Sequence, residues 1–101
     1  GIPGAGVALE REAVQRPDGS WLLDGRLPAD EVKETLEIQS LPYEDTTRYR
    51  TLGGLAMLCL DKIPSSGDSF VCAGWRFEVV DMDGLRVDKV LAVPLEQPAQ
   101  R

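Results

Sequence analysis

A chain of 101 residues, 43% hydrophobic and 28% charged, has the balance of one globular domain with one real core. Its 17 acidic residues outnumber 11 scattered bases for a net charge of −6, which argues against nucleic-acid binding and direct binding to anionic lipid. There is no histidine and no CxxC pair, which excludes an intramolecular structural zinc site and leaves a catalytic serine or cysteine without its usual base.

In chain order, residues 1–10 open with Gly1-Ile2-Pro3-Gly4-Ala5-Gly6 and read as a flexible linker or an expression remnant. The chain is therefore expected to be a fragment of a longer protein. The globular domain is expected over residues 11–94, with a polar tail at 95–101. Residues 12–16 and 21–24 read as two strands around Pro17-Asp18-Gly19-Ser20. Asp-Gly between strands predicts a hairpin of type I′, which needs positive φ at both central positions. Residues 27–36 predict a short peripheral helix, with Pro28 in its first turn, acidic residues at its positive end, and Val32 and Leu36 as one apolar line. Residues 39–50 read as a polar loop anchored by Leu41-Pro42-Tyr43.

The longest apolar stretch is Thr51-Leu52-Gly53-Gly54-Leu55-Ala56-Met57-Leu58-Cys59-Leu60, free of charge from end to end. It is too short to span a bilayer, which needs about 20 residues. Apolar residues at 52, 55, 56, 59, 60 and 63 form a helical stripe, and Met57 and Leu58 fall outside it. A helix apolar nearly all round is expected to be covered on more than one side, by the domain or by a partner chain. Thr51 suits its N-cap, and Ile63-Pro64-Ser65-Ser66-Gly67-Asp68 turns the chain after it.

Three strands follow, over residues 69–73, 75–80 and 85–93, with turns at Gly74 and Asp83-Gly84. The alternation slips between Val87 and Val90, which predicts a bulge near Asp88-Lys89. The order β-β-α-α-β-β-β has no βαβ alternation, so the fold class is α+β with a mainly antiparallel sheet packed on the central apolar helix.

No nucleophile–base–acid set can be built, so neither an enzyme nor a cofactor is expected. Two features invite ligand readings. Thr51, Gly53 and Gly54 at a helix start could hold an anion such as an adenine nucleotide, or the glycines could simply let a strand or a symmetry-related helix approach closely. Asp81, Asp83 and Asp88 could hold a hard cation, or could serve ordinary turn chemistry. Trp21, Leu52, Leu55, Met57, Leu58, Trp75 and Phe77 are the expected core and interface residues, and the all-round apolar helix favours a homodimer. Cys59 and Cys72 read as reduced core thiols, with a disulfide between them open if the strand carrying Cys72 lies on the helix.

Four motifs carry a family resemblance. They are Asp18-Gly19-Ser20-Trp21-Leu22-Leu23-Asp24-Gly25, then Tyr49-Arg50-Thr51-Leu52-Gly53-Gly54-Leu55, then Ile63-Pro64-Ser65-Ser66-Gly67-Asp68, and finally Phe77-Glu78-Val79-Val80-Asp81-Met82-Asp83-Gly84-Leu85-Arg86-Val87. In this order, over residues 11–93, the chain resembles the CorC/HlyC transporter-associated domain. The resemblance implies a cytoplasmic α+β module at the C-terminal end of CorC, CNNM-like or hemolysin-like proteins. There it follows a CBS pair, often behind a transmembrane domain, and it also ends some cation/proton antiporters. It implies modulation of ion transport, with magnesium and cobalt efflux as the associated activity, and no catalytic residues. The family fold is likened to a subdomain of certain FAD-binding oxidases, and no flavin-contacting motif occurs here. The chain departs from the family at Leu60-Asp61-Lys62, where members often have Leu-Gly-Arg, and at Asp88-Lys89, where the last strand is often more basic. Both departures are expected to alter surface charge and leave the fold intact.

Overall fold

A computed structural model describes residues 12–46 and 48–95. The expected linker at 1–10 and nearly all of the expected tail at 95–101 lie outside the described residues. Five strands form one antiparallel sheet: β1 (Ala13–Gln15), β2 (Trp21–Asp24), β3 (Ser69–Cys72), β4 (Trp75–Asp83) and β5 (Arg86–Pro94). Their spatial order is β1-β2-β5-β4-β3. Two helices, α1 (Ala29–Leu36) and α2 (Leu52–Leu60), lie between β2 and β3 in sequence. The α+β reading and its element order hold.

The register gives the sheet a dry face and an open one. Trp21, Ala92, Phe77 and Phe70 share one row, and Leu23, Val90 and Val79 share the next. These rows face the helices, and Leu23, Phe77, Val79, Val90 and Ala92 join Leu52, Leu55, Ala56, Val32 and Leu36 in a single buried cluster. The rings of Phe70 and Phe77 stack at 5.2 Å between centroids, which joins edge strand β3 to the core. The loop after α1 adds Ile38 and Leu41 to the cluster, whereas Tyr43 is 47% exposed, so of the expected anchor Leu41-Pro42-Tyr43 it is Leu41 that enters the core.

The turns depart from expectation in an instructive way. At the first hairpin the Gly19 amide donates to the Arg16 carbonyl at 2.9 Å, and only Gly19 has positive φ (89°). Pro17 lies inside that turn and holds φ negative, so the mirror-image type I′ turn is barred there. Type I′ backbone occurs instead between β3 and β4, where Ala73 (φ 56°) and Gly74 (φ 84°) both take the left-handed region. The slip in β5 is real and has a partner. Val79 pairs with Val90, Asp81 with Lys89, and Met82 with Val87, so Val80 is extra on β4 and Asp88 is extra on β5. Paired bulges cancel, which lets both strands switch phase and still keep Met82 and Val87 on the core side.

Helix α2 begins as expected, with Thr51 Oγ1 accepting from the Gly54 amide at 3.2 Å. It ends at Leu60, capped by Asp61 in the left-handed conformation with φ 58°. A side chain at this left-handed position carries backbone strain that glycine would not. The expected cover on more than one side is only partial among the described residues. Leu52, Leu55 and Ala56 are buried, but Met57 is 37% exposed and Ile63 is 48% exposed.

Candidate functional site

The start of α2 is a pinch point where three segments meet. The Gly25 amide donates to the Asp88 carbonyl at 2.9 Å, and the Gly25 carbonyl accepts from the Gly53 amide at 2.8 Å. A Cβ on Gly53 would lie 3.1 Å from the Gly25 oxygen and 3.2 Å from Val87 Cβ. The glycine here therefore permits close backbone approach. Gly54 differs: its added Cβ would meet the Tyr49 side chain, at 3.0 Å from Cβ.

This geometry removes the donors that an anion at Thr51, Gly53 and Gly54 would use. The Leu52 amide donates to Leu27 O at 2.9 Å, Gly53 to Gly25 O, Gly54 to Thr51 Oγ1, and Leu55 to Thr51 O at 3.0 Å. Every amide of the first turn is engaged within the fold, so none is left for a phosphate.

The three expected cation ligands are not all brought together. Asp83 pairs with Arg86 at 3.3 Å beside the β4–β5 turn. Asp81 and Asp88 meet at the paired bulges. Hydrogen bonding to Asp88, then desolvation, then the Asp88 negative charge raise the Asp81 carboxyl above its ordinary value. Lys89 lies 3.5 Å from Asp88 and offsets part of this. Among the described residues no group of three His, Cys, Asp or Glu side chains is placed to hold a metal ion.

The expected core and interface residues divide by position. Leu52, Leu55 and Phe77 are buried, and Trp21 and Trp75 pack partly buried against the core. Met57 and Leu58 sit on the outer side of α2, with no charged residue anywhere on the helix between Thr51 and Leu60. The two thiols are free and half-buried where α2 packs on β3. Burial, with Cys59 beside it, pushes Cys72 up to about 11, so both are protonated at neutral pH and poorly nucleophilic.

A further feature was not legible in the sequence. An open cleft of about 300 Å³ lies between α1 and the start of α2, lined by Pro28, Asp30, Lys33, Glu44, Tyr49 and Arg50. Its charges are partly neutralised in place, with Lys33 Nζ 3.0 Å from Glu44 Oε1. The Tyr49 hydroxyl donates to Pro42 O at 2.8 Å, holding the loop that forms the wall. Residues far apart in sequence build this cleft, and no local motif announces it.

The architecture and its motifs find a match among known proteins. Residues 14–96 fit the family model described as a transporter-associated domain, CorC_HlyC. The chain belongs to the CorC/HlyC transporter-associated domain family. A UPF0053 protein of Synechocystis sp. is 51% identical over 96 residues, covering 95% of this chain and 21% of its own length. The polyamine export protein of Escherichia coli strain K12 is 42% identical over 94 residues, covering 93% of this chain and 21% of its own. This domain thus spans about a fifth of the length of those curated relatives. Among solved structures, the CorC_HlyC domain of a Xylella fastidiosa hemolysin, in complex with Mg²⁺ and Mn²⁺, superposes with a TM-score of 0.74 at 41% identity. It covers 84% of this chain and 99% of that one. Among the described residues, no helix of the domain is long and apolar enough to cross a membrane.

Proposed function

We propose that this domain is a non-catalytic, cytoplasmic regulatory or assembly module of a larger cation-transport protein, acting through contact with a second copy or another partner. The observation that carries the reading is the outer side of α2, which carries no charge and exposes Met57 in an otherwise acidic protein. An apolar helix face left without a cover among the described residues favours association. In the longer polypeptide that contact would bias one of two conformations, which requires a different contact in each. The family supports a transport setting, and the polyamine export relatives support a cationic cargo, with magnesium or cobalt as the alternative cargo. A CBS pair and a transmembrane domain belong to the same proposal. Light scattering over a concentration series tests self-contact. A dimer that Met57→Glu converts to a monomer is expected, and a strict monomer at high concentration would remove the homodimer.

A second reading, a cation sensor, is favoured by one observation. The paired bulges bring the Asp81 and Asp88 carboxylates together. The magnesium and manganese complex of the Xylella relative is consistent with such a role. A ligand of the folded state raises the melting temperature by mass action. Melting scans with Mg²⁺, Co²⁺ and adenine nucleotides decide it. A shift with a cation that Asp81→Asn abolishes is expected, and no shift at millimolar ligand would sink it. The nucleotide version has lost its support at the α2 start, where the amides are engaged.

A further inference from the structure

The sheet has a second face, turned away from both helices, and it is only partly polar. An antiparallel sheet covered on one side ordinarily alternates apolar inward with polar outward. Here the outward row across β1, β2, β5, β4 and β3 reads Val14, Leu22, Leu91, Glu78, Ser69. The adjoining row of β5, β4 and β3 reads Val93, Arg76, Val71. Val71 is 60% exposed and Val14 46%, and among the described residues nothing covers them. Most charged groups on this face are paired. Arg76 pairs with Glu78 at 3.5 Å, Lys89 stands opposite Asp81, and Asp24 is held by Arg26 at 3.3 Å. Asp88, which meets Asp81 and lies 3.5 Å from Lys89, is left over, so the face carries a small negative excess.

We infer that this open sheet face is the surface on which the domain docks against another folded part of its own, longer polypeptide, a partner surface that is largely aliphatic with a basic group toward Asp81 and Asp88. Area decides between that occupant and a second copy. Five strands about 4.8 Å apart and outward rows about 6.7 Å apart give a face of roughly 24 by 20 Å, on the order of 1,000 Å² buried in total on pairing. A stable complex of separate chains buries about 1,200–2,000 Å². Domains joined in one chain dock through about 600–1,500 Å². The face falls short of the first range and lies within the second. A covalent tether supplies a millimolar effective concentration, so a small interface suffices. The length of the curated relatives, about five times the stretch matched here, supplies the tethered partner. This inference rests on the contact reading above and assigns it a surface separate from the outer side of α2.

Hydroxyl-radical footprinting tests it without a substitution, because it labels exposed aliphatic side chains in the folded protein. The 101-residue protein and the complete polypeptide encoded by its reading frame are labelled side by side. Val71, Leu91 and Val14 are expected to label several-fold more slowly in the complete polypeptide, while Leu85 at the β4–β5 turn, outside the face, labels equally in both. Equal labelling of all four would overturn the inference, as would a reading frame that encodes nothing further. Protection that appears in the 101-residue protein with rising concentration would assign the face to a second copy and overturn it. So would protection in that protein that is lost on removing residues 1–11. Concentration-dependent protection of Met57 with an unprotected sheet face would refute this docking and leave self-contact through α2 standing. Protection of neither surface in either protein would refute both.

Discussion

Gly25 offers the sharpest test of how the domain is held together. A Cβ there would fall 2.1 Å from the Val87 carbonyl oxygen and 2.8 Å from its carbon, both backbone atoms of the central strand β5. Neither can turn aside as a side chain would. Gly25→Ala must therefore push β2 away from β5 and α2. It strains or breaks two hydrogen bonds, Gly25 N to Asp88 O and Gly53 N to Gly25 O. Two such bonds contribute about 0.5–1.5 kcal/mol each. Overpacking adds about 1–3 kcal/mol. The lower entropy of the unfolded alanine chain returns about 0.4–1 kcal/mol. The loss centres on about 3 kcal/mol, which for a domain of this size lowers the melting temperature by roughly 12–24 °C. Gly53→Ala is the matched control. Its contacts of 3.1 and 3.2 Å need a shift of only a few tenths of an ångström. A gain of about 1 kcal/mol in helix propensity opposes that strain, so its net change stays near zero. Thermal melts followed by far-ultraviolet circular dichroism read both variants. Wild-type melting of Gly25→Ala, or equal losses at the two positions, would refute the pinch-point reasoning.

Other substitutions and the pH dependence follow from the same structure. Leu55 is fully buried against the sheet, so Leu55→Asp puts an unpaired charge in the core. Its cost, more than about 4 kcal/mol, rivals the whole stability of a small domain, and the cooperative melt should be lost. A wild-type-like melt would show that the core is elsewhere. Asp61 and Ala73 both hold left-handed backbone, which costs a residue with a side chain about 1 kcal/mol. Asp61→Gly and Ala73→Gly should each stabilise by about 0.5–1 kcal/mol in chemical denaturation, and a loss at either would show that its strain is already relieved. For pH, Asp18, Glu44 and Asp68 are lowered by hydrogen bonds from Ser20, Leu41 and Ser65 respectively. Burial works against the Asp24 charge, but hydrogen bonds from Arg26 outweigh it, so Asp24 is lowered too. Their stabilisation is present above the ordinary carboxylate range and lost as pH falls through and below it. Asp81, raised by Asp88, acts oppositely and loses its contribution as pH rises. Four groups outweigh one, so the melting temperature should fall between about pH 5 and about pH 3. Asp81→Asn should raise it more at neutral pH than in acid, and the reverse order would contradict the Asp81–Asp88 contact.

The sequence by itself determined the element types and their order, because these are written in local chemistry. Period-two alternation marks β4, the charge-free run marks α2, Thr51 caps it, and the glycine turns place the hairpins. It also carried the family, since four motifs in register survive without knowledge of contacts. The bulge in β5 was visible as a slipped alternation, but its partner at Val80 was not, because cancelling phase shifts only show once two strands are paired. Type I′ geometry at Ala73-Gly74 was hidden for a related reason. The two-residue connection between Cys72 and Trp75 demands positive φ at both positions, and pairing overrides alanine's preference. The candidate sites were least legible of all. Thr51, Gly53 and Gly54 look free in one dimension, yet the Gly53 amide donates to Gly25 and the adjoining Leu52 amide to Leu27, residues more than twenty positions earlier, while Gly54 donates to the Thr51 hydroxyl. Asp81, Asp83 and Asp88 look like one cluster, yet pairing joins two of them and sends Asp83 to Arg86. Which apolar side chains are covered depends on what lies across from them. Only the tertiary structure decided that Met57 faces outward and that the sheet keeps a second, partly apolar face uncovered by either helix.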